Sequence, residues 1–568
     1  MHWDWHWFRP WAARIRRAAT SRYGAFVFGF VIYIQGMALF FGLRARHSQY
    51  VVELPLLLAV FAALVEVLRP ARWRAVAAAF PIVIIYLGHD LYMLVYREVP
   101  DWREFARISE LYDSLSWPLL VLLTSALAAP VGLWVWQLDR GRLRSRRAGG
   151  LIALLLLVAS VMWAPRLIAG PAHALLPLQS WSHWRNVRFY GRLSMSLVRQ
   201  AEQRIVREQL AQYSPSEESR RSVDPAFVAA LERRNVHIVV LESFFDPRLF
   251  TAVRYDVLPV PEEFAALFDG HIGGALSPAF GGGTSRAEME VLCGVPALGI
   301  FGSEEFNVFT GAPTPCLPNL LADAGFATQL AYPFKPSFYN AQRAYRGLGF
   351  ASLLFGDRFA PAGSDALSLA RLDDRYLFDS HLYDEILART RAHRARGTPL
   401  LSYVLTMYGH TPYVMNEAVR PRRVRLVDHE EPLATVVNMA WYRAEAMARF
   451  VPALFAVDPD AMLVLVADHL PPMPLGAMAY DRWGYRGRFT GDSPQRFHEN
   501  FVAVFDRGVP VDVGLVRHYQ LFDLLLDRLS RGAWCAKVAC ERVPPDLERE
   551  VYLDDYTRIL GLAARSLP

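Results

Sequence analysis

Five long apolar segments, separated by short charged links, occupy the first 170 residues. Most of them are close to the roughly 20 residues that a helix needs to cross the hydrocarbon core of a bilayer. Buried helices of a soluble core are the alternative, but five in succession with charged links between them favour membrane helices. The pattern therefore predicts a membrane domain of five transmembrane helices over residues 1–170. The segments are Ala25–Leu43, Val51–Leu68, Ala75–Tyr96, Trp117–Trp136 and Ala148–Ala164.

Arginines in the links predict the orientation of this domain. They are dense before the first segment and in the second and fourth links, namely over Arg9–Arg22, Arg69–Arg74 and Arg140–Arg147. Cytoplasmic loops are enriched in Lys and Arg, so the N-terminus is expected in the cytoplasm. An odd number of crossings then puts everything after about residue 170 outside. The first segment shows no small-residue cleavage site, so it is expected to remain as an anchor.

Two polar features interrupt the membrane half. His89 and Asp90 lie inside the third segment, where ionisable residues indicate function by default. Contact with a lipid head group and a structural pair both remain open. The stretch His183–Leu210 mixes aromatic residues with arginines, which predicts an amphipathic helix on the membrane surface, with a solvated linker helix as the alternative. Residues 171–230 are assigned to this juxtamembrane linker.

From about Asn235 short apolar runs alternate with helical patterns, which predicts a parallel α/β sheet over residues 231–568. The runs are nearly continuous, as expected when helices cover both faces of a sheet. A hydrophobic share of 53% and a mean hydropathy of +0.15 fit a membrane part joined to a soluble part. The net charge of +6 lies largely in the links, so it indicates topology and no nucleic-acid partner. The expected strands are Val236–Leu241, Ala327–Ala331, Leu400–Thr406, Met462–Val466 and Phe501–Phe505.

Polar side chains follow three of these strands. Glu242 comes directly after the first, His410 shortly after the third, and Asp468 and His469 after the fourth. Open α/β sheets bind ligands beyond the carboxyl ends of their strands. One such residue is usually a cap or a surface group, but three positions at strand ends predict a site.

The stretch Gly281–Pro296 reads GGGTSRAEMEVLCGVP, so three glycines precede the hydroxyl of Thr284 and a run of helix formers. A helix N-terminus offers free N–H groups that suit a phosphate. Thr284 could attack phosphorus while the helix start holds the anion. The alternative is an ordinary capping box, because Ser285 is followed three residues later by Glu288.

Glu242, Thr284, Asp468 and His469 together would form an oxygen-rich site with one imidazole. This set suits Mn²⁺, Mg²⁺ or Zn²⁺ better than a thiophilic ion. A bound cation lowers the pKa of a coordinated hydroxyl and offsets charge on phosphoryl oxygens. His410 could act as a general acid or as a donor to a phosphate oxygen.

With its five apolar segments, LES at Glu242, GGGTS at Thr284, GHTPY at His410 and ADH at Asp468 and His469, the chain resembles the lipoteichoic acid synthase family. These are bacterial, membrane-bound, sulfatase-like phosphoglycerol transferases of the alkaline phosphatase superfamily. The resemblance implies an α-helical domain in the plasma membrane followed by an extracytoplasmic sulfatase-like α/β domain. It implies that the four predicted ligands bind a divalent ion, typically manganese, that Thr284 takes phosphoglycerol covalently, and that His410 helps hold the substrate.

The family tends to carry an aromatic–Asn–Arg run that grips glycerol phosphate. Here Tyr339 and Asn340 fit that run, but Ala341 stands where the arginine is expected. Either Arg343 substitutes for it, or the transferred head group differs. The expected reaction moves phosphoglycerol from phosphatidylglycerol to an envelope glycan or polymer.

Two other functions remain open, and a third is disfavoured. A phosphoethanolamine transferase is the nearest rival, and a non-catalytic envelope protein that binds a glycan or a partner is the second. Sulfate-ester hydrolysis is disfavoured, because Thr284 cannot become the formylglycine that sulfatases need.

Four cysteines lie in the outer domain, at Cys293, Cys316, Cys535 and Cys540. An even number in an oxidising compartment indicates disulfides. Pairing Cys293 with Cys316 and Cys535 with Cys540 is the most local of three connectivities. A metal site is the alternative, but no CxxC spacing is present.

Overall fold

The computed structural model describes residues 21–41, 47–96, 117–178, 183–211, 223–299, 305–336, 338–359, 375–427, 431–538, 540, 543 and 547–565. The chain forms two compact units, Met1–Val206 and Arg207–Pro568. Most of the arginines predicted to precede the first membrane segment, and those of the third link, lie outside the described residues.

All five predicted membrane segments are helical. Four helices are long and apolar enough to cross a membrane by length and composition, Arg22–Phe40, His47–Val67, Arg74–Met93 and Arg146–Trp163. The remaining predicted segment, Trp117–Trp136, is a helix with the predicted bounds, but many of its side chains lie outside the described part of the chain. The helices that begin in this unit are α1 (Arg22–Phe41), α2 (His47–Val67), α3 (Arg74–Tyr96), α4 (Trp117–Trp136), α5 (Arg140–Leu143), α6 (Gly149–Trp163), α7 (Arg166–Leu175), α8 (His183–Tyr190) and α9 (Arg192–Ala211).

The first unit exposes many apolar side chains and buries a few charged and polar ones beside its apolar core. Large side chains such as Leu39 and Leu156 are exposed, which suits a surface that faces lipid. Glu53, His89 and Asp90 are buried. Burying polar side chains in a helical bundle is unfavourable unless they are hydrogen-bonded.

The buried acids of this unit are fully engaged. Asp90 accepts from the Tyr33 hydroxyl at 2.7 Å and is ion-paired with Arg192 at 2.8 Å. Glu53 accepts from the backbone N–H groups of Leu193 and Ser194 at 2.7 and 2.9 Å. These contacts favour the structural interpretation of the polar residues in the third segment.

His89 is engaged in the same way. Its Nδ1 lies 2.9 Å from the carbonyl oxygen of Ile85, and its Nε2 lies 2.9 Å from Oγ of Ser196. Both ring nitrogens therefore have partners inside the unit.

The single helix expected over His183–Leu210 is two helices, because the chain breaks at Gly191, where φ is 107°. Their apolar faces are covered by side chains of the same unit. Val187 and Met195 pack with Met93, and Ala201 packs with Val161. Much of the amphipathic pattern is thus explained by packing within this unit.

The second unit is built on a mixed sheet with strand order β11-β3-β9-β8-β1-β6-β4-β5, and β10 pairs with β9. Four of the five predicted strands, β4, β6, β1 and β8, are parallel to one another as expected. A separate pair, β2 and β7, is antiparallel. The strands are β1 (Val236–Leu241), β2 (Arg254–Tyr255), β3 (Gly273–Leu276), β4 (Ala327–Ala331), β5 (Ser352–Leu354), β6 (Leu400–Leu405), β7 (Leu426–Val427), β8 (Met462–Ala467), β9 (Glu499–Asp506), β10 (Val509–Val511) and β11 (Leu515–Arg517).

The prediction of a parallel sheet is wrong at the fifth predicted strand. It lies in β9, which runs antiparallel to both β8 and β3. A two-residue hairpin at Arg507 and Gly508, with φ of 52° and 78°, then joins β9 to β10. The run over Phe501–Phe505 is buried on both faces, as the parallel strands of the sheet are. Its hydrophobic pattern therefore does not reveal the direction of the strand.

Helices cover both faces of the sheet. Val239 and Leu241 of β1 belong to a large aromatic-rich core on one face, and Ile238 and Val240 are buried outside that core. This explains why the strands read as continuous apolar runs. The helices are α10 (Pro225–Ala229), α11 (Glu262–Ala266), α12 (Thr284–Cys293), α13 (Leu317–Asp323), α14 (Ala341–Leu348), α15 (Asp379–Arg396), α16 (Leu433–Val457), α17 (Ala477–Arg482), α18 (Gln520–Leu529), α19 (Ala533–Val538) and α20 (Glu548–Ala563).

Candidate active site at the carboxyl ends of the strands

Parallel pairing brings the first ligands together. β1 and β8 are in register with Leu241 opposite Ala467, so the residues that follow, Glu242 and Asp468, leave the sheet side by side. The N–H of Ser243 donates to Oδ1 of Asp468 at 2.7 Å, and the N–H of His469 donates to the same oxygen at 2.7 Å. Oδ1 of Asp468 is thus used by the backbone, and Oδ2 remains for the site.

The nucleophile candidate begins a helix. α12 starts at Thr284, after Gly281, Gly282 and Gly283 with φ of 68°, 148° and 81°. Side chains other than glycine rarely adopt such values, so the glycines allow the sharp turn into the helix. The turn leaves the Thr284 hydroxyl at the helix N-terminus, where free N–H groups suit an anion.

The capping-box interpretation of this helix is wrong. The N-cap is Gly283, with no side-chain cap, and Ser285 lies inside the helix. Glu288 turns inward, and its Oε1 accepts from the hydroxyls of Tyr345 at 2.7 Å and Tyr403 at 3.0 Å. Burial raises the pKa of Glu288 to about 8, although the two tyrosine hydroxyls act in the opposite direction.

Three side chains, those of Glu242, Asp468 and His469, converge on the Thr284 hydroxyl. Oγ1 of Thr284 donates to Oδ2 of Asp468 at 2.7 Å, and it lies 3.3 Å from Oε2 of Glu242 and 3.3 Å from Nε2 of His469. Nε2 of His469 is 3.3 Å from Oδ2 of Asp468 and 3.9 Å from Oε1 of Glu242. All four residues are buried. The structure therefore brings together the complete predicted ligand set.

These residues fit a divalent cation. Ligand atoms of a tetrahedral ion with bonds of about 2.1 Å lie about 3.4 Å apart, within the range found here. The imidazole is oriented for the role, because Nδ1 of His469 lies 3.0 Å from the carbonyl oxygen of Leu470 and therefore carries the proton, so that Nε2 presents its lone pair to the Thr284 hydroxyl. Burial, followed by the charge of Glu242, raises the pKa of Asp468 to about 6. A cation at this point would offset the repulsion between the two carboxylates.

His410 lies beside this cluster and interacts electrostatically with Asp468 and His469. Its Nδ1 is 2.6 Å from the carbonyl oxygen of Thr411 and 3.1 Å from the Tyr376 hydroxyl. A carbonyl only accepts, so Nδ1 carries the proton and Nε2 is bare in the neutral ring. Burial lowers the pKa of His410 to about 4, so the ring is neutral at pH 7. A neutral ring of this tautomer suits a base better than the general acid first expected.

The predicted head-group residues are only partly assembled. Tyr339 is half-buried, with its ring 4.0 Å from that of Phe338, and the Phe338 ring contacts His410. The Asn340 side chain instead donates to the carbonyl oxygens of Phe306 and Phe309, both at 2.8 Å. Asn340 therefore fixes a neighbouring turn.

Arg343 is exposed on α14, and among the described residues it makes no hydrogen bond or ion pair with the cluster. Sequence reasoning missed Tyr376, which touches His410, and its neighbour Arg375, which hydrogen-bonds Tyr376 and interacts electrostatically with His410. Neither residue follows a strand or belongs to a helix, so no local pattern marked it.

The two disulfides pair Cys293 with Cys316 and Cys535 with Cys540. The first connects the last residue of α12 to the residue that precedes α13. It therefore ties the helix that begins at Thr284 to the next element of the fold.

The family model described as Sulfatase matches residues 234–529. No curated protein sequence matches the chain. The matched range includes Glu242, Thr284, His410 and Asp468.

Several solved structures are similar in fold. The lipoteichoic acid synthase LtaP from Listeria monocytogenes is 15% identical over 57% of this chain and 77% of its own, with a TM-score of 0.43. The phosphoglycerol transferase GacH from Streptococcus pyogenes, in complex with sn-glycerol-1-phosphate, is 16% identical over 63% and 90%, with a TM-score of 0.44. The periplasmic domain of EptC from Escherichia coli, in complex with Zn, is 16% identical over 53% and 83%, with a TM-score of 0.35. At such low similarity the substrate has to be argued from the site.

Proposed function

Because the chain belongs to the sulfatase family, we propose that it is a membrane-anchored transferase that moves phosphoglycerol from phosphatidylglycerol to a glycan or polymer of the cell envelope. The observation that carries the proposal is the Thr284 hydroxyl, held at a helix start within 3.3 Å of Glu242, Asp468 and His469. A threonine at this position can form and release a phosphodiester, and it cannot become formylglycine.

A divalent metal ion would be held by Glu242, Thr284, Asp468 and His469, with Mn²⁺ as the first choice and Mg²⁺ or Zn²⁺ as alternatives. Bound there, it would lower the pKa of the Thr284 hydroxyl and offset charge on the phosphoryl oxygens. The carboxylates supply the oxygen ligands, and the fixed tautomer of His469 supplies the nitrogen.

In the first step the positive N-terminal end of α12 orients the phosphodiester of the donor. The Thr284 hydroxyl loses its proton, and Oγ1 forms a bond to phosphorus. The bond from phosphorus to the diacylglycerol oxygen breaks, and that oxygen takes up the proton that the hydroxyl released. Diacylglycerol leaves, and a phosphoglyceryl group remains on Thr284.

In the second step a hydroxyl oxygen of the acceptor forms a bond to phosphorus, the bond from phosphorus to Oγ1 of Thr284 breaks, and Oγ1 takes up the proton that the acceptor hydroxyl loses. Nε2 of His410 is the bare nitrogen of a neutral imidazole, so it can accept the proton of that hydroxyl. Tyr376 and the Thr411 carbonyl keep the ring in the tautomer that this requires.

The nearest rival is transfer of phosphoethanolamine, whose head group carries an ammonium. Arg375 hydrogen-bonds Tyr376 and interacts electrostatically with His410. A guanidinium there repels an ammonium and tolerates glycerol, so the charge favours phosphoglycerol.

We place the chain in the plasma membrane of a bacterium, with its N-terminus in the cytoplasm and its second unit outside. Four apolar helices support the anchor. Two disulfides in the second unit support an oxidising compartment.

The test is mass spectrometry of the peptide that contains Thr284, after the full chain in detergent is incubated with phosphatidylglycerol or with phosphatidylethanolamine. We expect a phosphoglycerol adduct from the first lipid only. A phosphoethanolamine adduct would support the rival instead. No adduct from either lipid, together with no bound divalent metal, would support a non-catalytic binding protein.

A further inference from the structure

A buried arginine and a threonine together bind the two backbone groups of Glu242. Arg443 of α16 is 1% exposed, and its Nη1 donates to the carbonyl oxygen of Glu242 at 2.7 Å. Its Nη2 donates to Oγ1 of Thr406 at 3.0 Å, and the same oxygen accepts from the N–H of Glu242 at 3.0 Å. The guanidinium and one hydroxyl thus satisfy both backbone groups of a predicted metal ligand.

These backbone groups need such partners because β1 ends at Leu241. On the side of β1 that faces β6, the last backbone hydrogen bond is the one that the carbonyl oxygen of Val240 accepts from the N–H of Thr406. Beyond it, the buried N–H and C=O of Glu242 would be left unsatisfied without Thr406 and Arg443, at considerable free-energy cost.

Arg443 is itself fixed from another element. Its Nε donates to Oδ2 of Asp379 at 2.6 Å, and Asp379, the first residue of α15, is fully buried. A buried charge pair of this kind is poor evidence for stability, since apolar replacements are often as stable. Its retention beside a ligand therefore points to a positional role.

Gly409 makes the arrangement possible. A Cβ at this position would lie 2.1 Å from the carbonyl oxygen of Glu242 and 2.5 Å from Nη1 of Arg443. The missing side chain lets the segment before His410 pass against the contact between the carbonyl and the guanidinium. The hydrogen bonds of Arg443 and Thr406 to Glu242 therefore lie next to two parts of the site, the predicted ligand Glu242 and the loop of His410.

We propose that Arg443 is a positioning residue which, with Thr406 and Asp379, sets the Glu242 carboxylate for metal binding. The inference rests on the proposed function, because it assumes that Glu242 is a ligand. Loss of a group that hydrogen-bonds a metal ligand typically weakens metal binding by about 10- to 100-fold. If Arg443 served only the fold, replacing it would lower the stability of the chain and leave its metal affinity unchanged.

The test measures Mn²⁺ affinity by calorimetry on the full chain in detergent after metal removal, together with thermal unfolding of the metal-free chain. Arg443→Lys keeps the charge opposite Asp379 and loses the planar fork. The matched control is Arg234→Lys, because Arg234 lies just before β1 and is also buried and ion-paired, with Asp506 and Glu232.

We expect Arg443→Lys to weaken Mn²⁺ binding by about 10- to 100-fold. Arg234→Lys should leave it within about twofold, while both variants lower the unfolding temperature of the metal-free chain. Wild-type affinity in Arg443→Lys would overturn the inference and leave the metal site intact. A wild-type chain that binds none of Mn²⁺, Mg²⁺ and Zn²⁺ would overturn the metal site and this inference with it.

Thr406→Val covers the case in which Arg443→Lys fails to fold. Valine keeps the shape of threonine and removes the oxygen that accepts from Glu242 and Arg443. We expect Mn²⁺ affinity to fall by roughly tenfold. Unchanged affinity in a folded Thr406→Val chain would overturn the inference by itself.

Discussion

The two units bury the same kinds of charged residue in opposite ways. In the first unit, Asp90 is paired with Arg192, and Glu53 accepts from two backbone N–H groups. In the second unit, Glu242 and Asp468 converge on the Thr284 hydroxyl, and the third member of the group is the imidazole of His469. The first arrangement is complete in the protein alone, whereas the second gathers negative charge on a single point.

This difference separates a structural polar cluster from a binding site. Burial by itself does not distinguish them, because Asp90 and Asp468 are both fully buried. What distinguishes these two aspartates is compensation. Asp90 has the counter-charge of Arg192, whereas Asp468 faces the second carboxylate of Glu242, which favours uptake of a proton or of a cation. The raised pKa of Asp468, about 6, is the mark of the second kind.

The largest expected effect is on the chemistry that only the second unit can support. Thr284→Ala should lower the release of diacylglycerol from phosphatidylglycerol by about 10⁴-fold or more, because the nucleophile is lost. Thr284→Ser is the control, and it should retain measurable release because it keeps a hydroxyl. Release by Thr284→Ala at the wild-type rate would show that another group attacks the lipid.

A matched pair of substitutions tests the comparison directly. Asp90→Asn leaves Arg192 without its counter-charge, which should destabilise the chain by about 3–5 kcal/mol and leave Mn²⁺ binding unchanged. Asp468→Asn should do the reverse, abolishing Mn²⁺ binding while raising the unfolding temperature of the metal-free chain. Thermal unfolding and calorimetry measure both variants, and a drop in metal-free stability for Asp468→Asn would contradict the comparison.

The pH dependence of stability should reveal a further uncompensated acid. Burial raises the pKa of Glu288 from 4.5 to about 8, so the folded chain holds this proton more tightly than the unfolded chain does. Stability of the metal-stripped chain should therefore fall as the pH rises from 4.5 to about 8, by up to roughly 5 kcal/mol from this group. Glu288→Gln should flatten that slope in denaturant titrations. The exposed Glu262 provides the control, and an equal flattening in Glu262→Gln would refute the assignment.

The disulfides should give the smallest effect, confined to the second unit. Replacing Cys293 and Cys316 by serine opens a link with a sequence separation of 23 and should cost about 3 kcal/mol. Replacing Cys535 and Cys540 opens one of 5 and should cost about 2 kcal/mol. Chemical denaturation measures both, and a reversed order would show that strain outweighs chain entropy here.

Sequence reasoning succeeded where the signal is local and repeated. β1 and β4 have the predicted bounds, and β1 is a nearly continuous apolar run closed by Glu242. The four predicted ligands were found because strand ends and glycines marked them. β3 was missed because it is only four residues long and begins with Gly273 and Gly274, which carry no strand preference.

The parts that failed depend on contacts between distant segments. Arg443 donates to the backbone carbonyl of a residue 201 positions away in the sequence. The residues around Arg443 in α16 give no indication of that partner. One signal was available, since an arginine on a buried stripe of a long apolar helix needs a partner. Glu53, an acid inside an apolar segment, carried the same kind of signal in the first unit.

The reversed direction of β9 has a practical consequence. Its amino end lies at the edge of the sheet that carries Asp468, while its carboxyl end, Asp506, pairs with Met462 at the opposite edge. The hairpin at Arg507 and Gly508 is therefore exposed at the end of the sheet opposite Asp468. A fluorophore or an affinity tag inserted there would label the chain at a distance from the candidate active site.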